Sequence, residues 1–189
     1  MIWLVLGVLL WSGVHLIPSL ARPLRARLVE TLGEGGYRAG FALAIVAAII
    51  LMVMGWRATT VVPIYEPPPW SRAAAGVLMF FALILFAAAR LPSNIKRFLR
   101  HPQLTGVAVW AGAHLLANGD SRSLVLFGGF ALWALLEMAF INRREGPWQR
   151  PERQPLMADL KPLLAGGIGY VLLLVLHPYL FGVSPLPAY

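Results

Sequence analysis

Between Arg38 and Arg57 the chain runs through eighteen consecutive residues without a charged side chain. At about 1.5 Å of rise per residue, a helix of that length nearly crosses a hydrocarbon core of about 30 Å. Comparable apolar runs recur along the chain. A helix that is apolar on every face needs either a large protein core or lipid around it, and 189 residues are too few for six such cores. Composition agrees: 59% of residues are hydrophobic and 13% charged, against roughly 45–50% and 25% in soluble domains, and mean hydropathy is +0.71. The expected fold class is all-α, a polytopic membrane helix bundle with six transmembrane helices. Disorder, collagen-like repeats and a disulfide scaffold are excluded. With no cysteine in the sequence, thiol catalysis, iron–sulfur clusters and Cys-ligated zinc are excluded too.

The spans are predicted at about 1–17, 37–56, 73–89, 104–117, 124–141 and 163–183. The first lacks a basic leading region and a small-residue cleavage site, which reads as a retained helix. The fourth is short. Basic residues then give a topology. One side carries Arg22, Arg25, Arg27 and Arg38, then Arg90, Lys96, Arg97 and Arg100, then Arg143, Arg144, Arg150, Arg153 and Lys161. The other carries only Arg57, Arg72 and Arg122. By the positive-inside rule both termini are expected outside. The net charge of +8 is therefore expected to meet anionic lipid, with no nucleic-acid partner. A Pro-rich stretch at 64–70 reads as a stiff extended connector, with Trp3, Trp56 and Trp70 at headgroup level. The longest polar segment is 146–155. No internal repeat or second domain is visible, and a single domain is expected over 1–189.

Ionisable groups inside a bilayer are costly, which makes each one a candidate for function. All four histidines, His15, His101, His114 and His177, lie in or beside a span. Neutral imidazole is a good ligand for iron, and haem is held by axial histidines between bundle helices. For any single histidine, a hydrogen bond to a neighbouring helix is the commoner role. On a helix, Trp110 and Asn118 share a face with His114, offering an aromatic ring to pack a macrocycle and an amide to hold the second imidazole nitrogen. Trp11 and Ser12 stand similarly to His15. Glu137 lies one turn before the basic stretch beginning at Asn142 and is expected to snorkel or to pair with an arginine. By depth alone, His114 pairs with His177 and His15 with His101, since His15 and His114 differ by ~10 Å along the membrane normal.

The segment Arg100-His101-Pro102-Gln103-Leu104-Thr105-Gly106, followed by Val109-Trp110 and Ala113-His114, resembles the NnrU family of bacterial membrane proteins. So do residues 115–120 and 123–129, Gly13-Val14-His15 and Gly33-Glu34-Gly35-Gly36-Tyr37-Arg38. The resemblance covers nearly the whole chain. It implies a multi-pass protein of the bacterial inner membrane, with both termini periplasmic, associated with nitrite and nitric oxide reduction. The family is similar to plant zeta-carotene isomerase, a haem b enzyme of cis-to-trans isomerisation. Carried over by motif, that similarity makes His15 and His114 the axial haem ligands, with His101 and His177 as alternates. Where the isomerase has a cysteine three residues before the second histidine, this chain has Ala111. Arg100-His101-Pro102 is also similar to the helix start of isoprenylcysteine-type membrane methyltransferases, but their paired glutamates are replaced by Asn142-Arg143-Arg144-Glu145-Gly146.

Three functions follow as expectations. The first is a haem b protein with redox or isomerase-like chemistry, ligated by His15 and His114 and supported by Trp110, Asn118 and Arg100. The second is a non-enzymatic accessory protein of a respiratory nitrite or nitric oxide reductase complex. The third is a membrane methyltransferase.

Overall fold

The computed structural model describes residues 1–186, so the last three residues of the domain expected over 1–189 lie outside the described residues. Among those described, regular structure consists of six α-helices and two short 3-10 turns, with one isolated bridge between Pro63 and Asp120. The helices are α1 (Ile2–Leu20), α2 (Arg22–Ala58), α3 (Ser71–Arg90), α4 (Pro102–Ala117), α5 (Ser121–Glu145) and α6 (Leu160–Phe181). The 3-10 turns are Asn94–Arg97 and Leu156–Asp159. Five of the helices, all but α4, are long and apolar enough to cross a membrane. At 16 residues, α4 reaches only about 24 Å. The chain divides into two compact units, one made of residues 1–64 and 120–146, the other of 65–119 and 147–189.

The first unit contains α1, α2 and α5. A single residue, Ala21, links α1 to α2, and the part of α2 beyond Gly33 runs back along α1. Small residues let the two backbones approach, the ordinary way membrane helices pack. A Cβ on Gly7 would stand 2.8 Å from the Ala48 carbonyl oxygen, and one on Gly55 only 2.2 Å from the Leu4 nitrogen. Leu4, Val8, Ala48 and Met52 fill the seam, with Trp11, Trp56 and Phe130 packed around it. On α5, Gly129 receives the Val8 side chain, whose Cγ1 would lie 2.5 Å from an added Cβ.

One expectation fails here. Residues 22–32, predicted as loop, are helical and continue into α2. The segment sets Leu24 and Leu28 among Arg22, Arg25 and Arg27, a spacing that suits an amphipathic helix lying at an interface. The helix breaks at Gly33, whose φ of 71° and ψ of 165° belong to a region essentially reserved for glycine. Beyond it, residues 34–58 hold the predicted second span.

Asp120 begins α5 as its N-cap. Its Oδ1 accepts from the Arg122 and Ser123 amides at 2.9 and 3.1 Å, and its Oδ2 accepts from the Ser123 hydroxyl at 2.6 Å. Arg122 pairs with Asp120 at 3.7 Å, donates to the Trp56 carbonyl at 3.1 Å and lies over the Trp56 ring. Trp56, expected at headgroup level, is thus covered by Arg122. Burial raises the Asp120 carboxyl, but the Ser123 hydroxyl, the two amides and the Arg122 charge outweigh it and hold the group below its ordinary 3.8. A depressed carboxylate contributes stability that is present above the unfolded value and lost as pH falls through the folded one. Thermal stability in detergent is therefore expected to carry an Asp120-dependent loss below about pH 4, which Asp120→Asn flattens. Asp120→Ala is expected to cost about 1 kcal/mol at neutral pH. An unchanged acid profile in Asp120→Asn contradicts this account of the cap.

The second unit contains α3, α4 and α6. Gly106 of α4 sits against the Phe86 ring, and a Cβ on Gly166 of α6 would stand 2.6 Å from the Ile84 Cα. The two 3-10 turns are tied by Asn94. Its amide and Nδ2 donate to the Asp159 carboxylate at 2.6 and 2.8 Å, while its side chain exchanges bonds of 3.0 Å with the Gln154 backbone. Asn94→Asp replaces a donor by a second carboxylate facing Asp159. It is expected to cost about 2–3 kcal/mol, read as a lower thermal midpoint that Asp159→Asn partly restores in the double variant. Tyr65 bonds its hydroxyl to the Leu115 and Asn118 carbonyls at the end of α4, anchoring the connector at 64–70, which forms neither helix nor named strand.

Candidate functional site

His15 lies in the last two turns of α1, inside the first unit. Its Nδ1 is 2.8 Å from the Trp11 carbonyl oxygen one turn earlier. A carbonyl can only accept, so Nδ1 carries the hydrogen and the lone pair of the neutral ring is on Nε2. Three aromatic rings enclose the imidazole. Trp11 stacks on it at 4.4 Å between centroids, while Trp133 and Phe41 meet it edge-on at 5.0 and 5.3 Å. Of these only Trp11 was legible as a neighbour. Trp133 and Phe41 come from α5 and α2, and no local spacing announces a contact between helices.

His114 lies in the last turn of α4, inside the second unit, and repeats the arrangement. Its Nδ1 is 2.9 Å from the Trp110 carbonyl oxygen, and the Trp110 ring lies 5.1 Å away. The same reasoning puts the neutral lone pair on Nε2. Asn118, expected to hold an imidazole nitrogen, instead donates its Nδ2 to the His114 backbone carbonyl at 2.8 Å. It terminates the helix as C-cap, and the Trp110 carbonyl takes the ring nitrogen. Buried Ala111 stands three residues before His114.

The alternates differ in setting. His101 is the N-cap residue of α4, with Pro102 at the first helical position, where a fixed φ and a missing N–H suit a helix start. The Arg100–His101–Pro102 segment is thus a helix start, with Arg100 just ahead of it. His177 lies near the end of α6, its Nδ1 2.8 Å from the Val183 carbonyl oxygen and its ring 4.8 Å from Phe181. Glu137 does not snorkel. It is buried at 8% exposure and accepts a 3.0 Å bond from the Ser19 hydroxyl of α1.

Among the described residues, no three or more His, Asp or Glu side chains gather as a metal site. Iron in a porphyrin needs only one or two protein ligands. A histidine whose Nδ1–H is fixed by a carbonyl, with its Nε2 as the basic nitrogen, is the usual form of an imidazole ligand. His15 and His114 each have that form in their own unit, and His177 also holds its Nδ1 on a carbonyl, so each ring taken singly has the chemistry of an imidazole ligand.

The protein-family model described as NnrU protein matches residues 3–185. Neither the curated proteins nor the solved structures contain a match to the chain.

Proposed function

Because the chain belongs to the NnrU family, we propose that it is a multi-pass membrane protein that holds haem b through His15 and His114 and serves redox chemistry linked to nitrogen-oxide metabolism. The supporting observation is the shared setting of the two imidazoles, each bonded through Nδ1 to the carbonyl four residues earlier. Bound there, haem b supplies one-electron chemistry or the iron centre of a double-bond isomerisation.

The chain's own residues do the rest. The Trp11 and Trp110 carbonyls fix tautomer and ring direction, so each Nε2 is preorganised before a ligand arrives. Trp11, Phe41 and Trp133 pack their rings against the His15 imidazole and fix its position. With Ala111 near His114, no thiol is at hand to exchange with an imidazole, which favours the redox reading over isomerisation. In the proposed orientation the protein lies in the bacterial inner membrane, with both termini periplasmic and the Arg-rich ends of the helices cytoplasmic.

The test is a reduced-minus-oxidised spectrum of protein purified in mild detergent after expression with ample haem. A b-type spectrum is expected. Folded, monodisperse protein without haem contradicts the proposal. It would turn attention to an accessory role beside a respiratory reductase, which the exposed Arg22 and Arg27 suit as an acidic partner's docking points.

A further inference from the structure

Within the first unit a cleft of about 830 Å³ opens where three helices leave their apolar stretches. It is lined by Pro18 of α1, by Arg22, Arg25, Tyr37, Arg38 and Phe41 of α2, and by Arg144 of α5. The bend at Gly33 creates it, because it turns residues 22–32 away from the axis of residues 34–58. Four guanidiniums thus share one concavity. Two carboxylates offset them in part: Glu34 lies 3.9 Å from Arg25 and 3.5 Å from Arg38, and Glu145 lies 2.7 Å from Arg144. An excess of two positive charges remains.

The Tyr37 hydroxyl and the Arg144 Nε are buried with no hydrogen-bond partner among the described residues. Both belong to cleft-lining side chains. Arg144 is also held in place, since its Nη1 donates to the Pro18 carbonyl at 3.1 Å. A ligand with several acceptor oxygens and two negative charges would match the excess charge of these guanidiniums. Guanidinium forks match phosphate in that way.

We infer that this cleft binds a phosphate ligand of two negative charges, a phosphomonoester or a pair of linked phosphodiesters. Its level favours a lipid source. The charge-free run of α2 begins directly after Arg38, and the apolar stretch of α5, interrupted by Glu137, ends at Arg143 and Arg144, so the cleft lies at headgroup height, where Phe41 can meet the start of an acyl chain. Four arginines gathered in one concavity, with Arg144 preset by the Pro18 carbonyl, distinguish this cleft from a diffuse basic face, which attracts anionic lipid without saturating. The inference does not depend on haem.

The experiment titrates detergent-purified full-length protein with cardiolipin, with phosphatidylcholine and with inorganic phosphate, reading bound lipid by native mass spectrometry and stability by thermal shift. Saturable cardiolipin binding that phosphatidylcholine does not reproduce is expected. The double variant Arg22→Gln/Arg38→Gln, at two exposed positions, is expected to weaken it by about tenfold or more. Arg57→Gln, which removes one positive charge at the other end of α2, is expected to bind as the unaltered protein does. Saturation by inorganic phosphate that abolishes cardiolipin binding assigns the cleft to a free phosphate compound and keeps its chemistry. Equal binding of phosphatidylcholine, an unaffected double variant, or an equal loss in Arg57→Gln would overturn the inference.

Discussion

Gly55→Ala is expected to separate α1 from α2. The added methyl would stand 2.2 Å from the Leu4 nitrogen and 2.6 Å from its Cα. These are backbone atoms of a helix, not the end of a side chain that can rotate away. Overfilling a core ordinarily costs about 1–3 kcal/mol; an obstruction made of backbone lies at or beyond the top of that range. The damage also spreads, because Leu4 anchors the seam shared with Val8, Ala48 and Met52. For a chain of this size, 3 kcal/mol lowers a thermal midpoint by roughly 6–12 °C. Gly13→Ala provides the contrast, since nothing lies within 4 Å of its added methyl. There, alanine's helix propensity is expected to leave stability unchanged or raise it by about 0.5–1 kcal/mol. Midpoints measured side by side in one detergent decide the matter, and equal values for the two variants would contradict the close approach of α1 and α2.

The same glycines show what a sequence reveals and what it withholds. Six apolar runs foretold the helices, because lipid demands long stretches with internally bonded backbones. The predicted 73–89 became Ser71–Arg90 and the predicted 104–117 became Pro102–Ala117. Nothing in the local sequence says that Gly55 meets Leu4 or that Gly166 meets Ile84, since pairing between helices leaves no local mark. Residues 22–32 were misread because their arginines suggested a loop, although Leu24 and Leu28 among those arginines have helical spacing. At the candidate site, the tie from His114 back to Trp110 follows from four-residue spacing. The cage around His15 does not, since Phe41 and Trp133 arrive from distant segments. Asn118 misled for a related reason: four residues on from His114 it faces the right way, but at a helix end the free backbone carbonyl claims its amide first.

Loss of haem is the second large effect expected, on replacing either His15 or His114. Each ring is held by its Nδ1–H to the carbonyl four residues earlier, so removing the imidazole deletes both the proposed iron ligand and the bond that orients it. His15 poses a separate difficulty, because its ring also fills a space among Trp11, Phe41 and Trp133. His15→Ala therefore opens a cavity, whereas His15→Phe keeps an aromatic ring there without a ligating nitrogen. Both variants are expected to lose haem, with His15→Phe retaining more thermal stability. Imidazole added to His114→Ala is expected to restore a b-type spectrum, a rescue that mere misfolding would not permit.

The most direct measurement is the haem-to-protein ratio in the unaltered chain and in His15→Phe, His114→Ala, His101→Ala and His177→Ala, purified in parallel. A ratio near unity is expected in the unaltered chain, His101→Ala and His177→Ala, and one near zero in His15→Phe and His114→Ala. A folded, unaltered protein devoid of haem, or a ratio that stays near unity in His15→Phe and His114→Ala, would contradict haem ligation by His15 and His114.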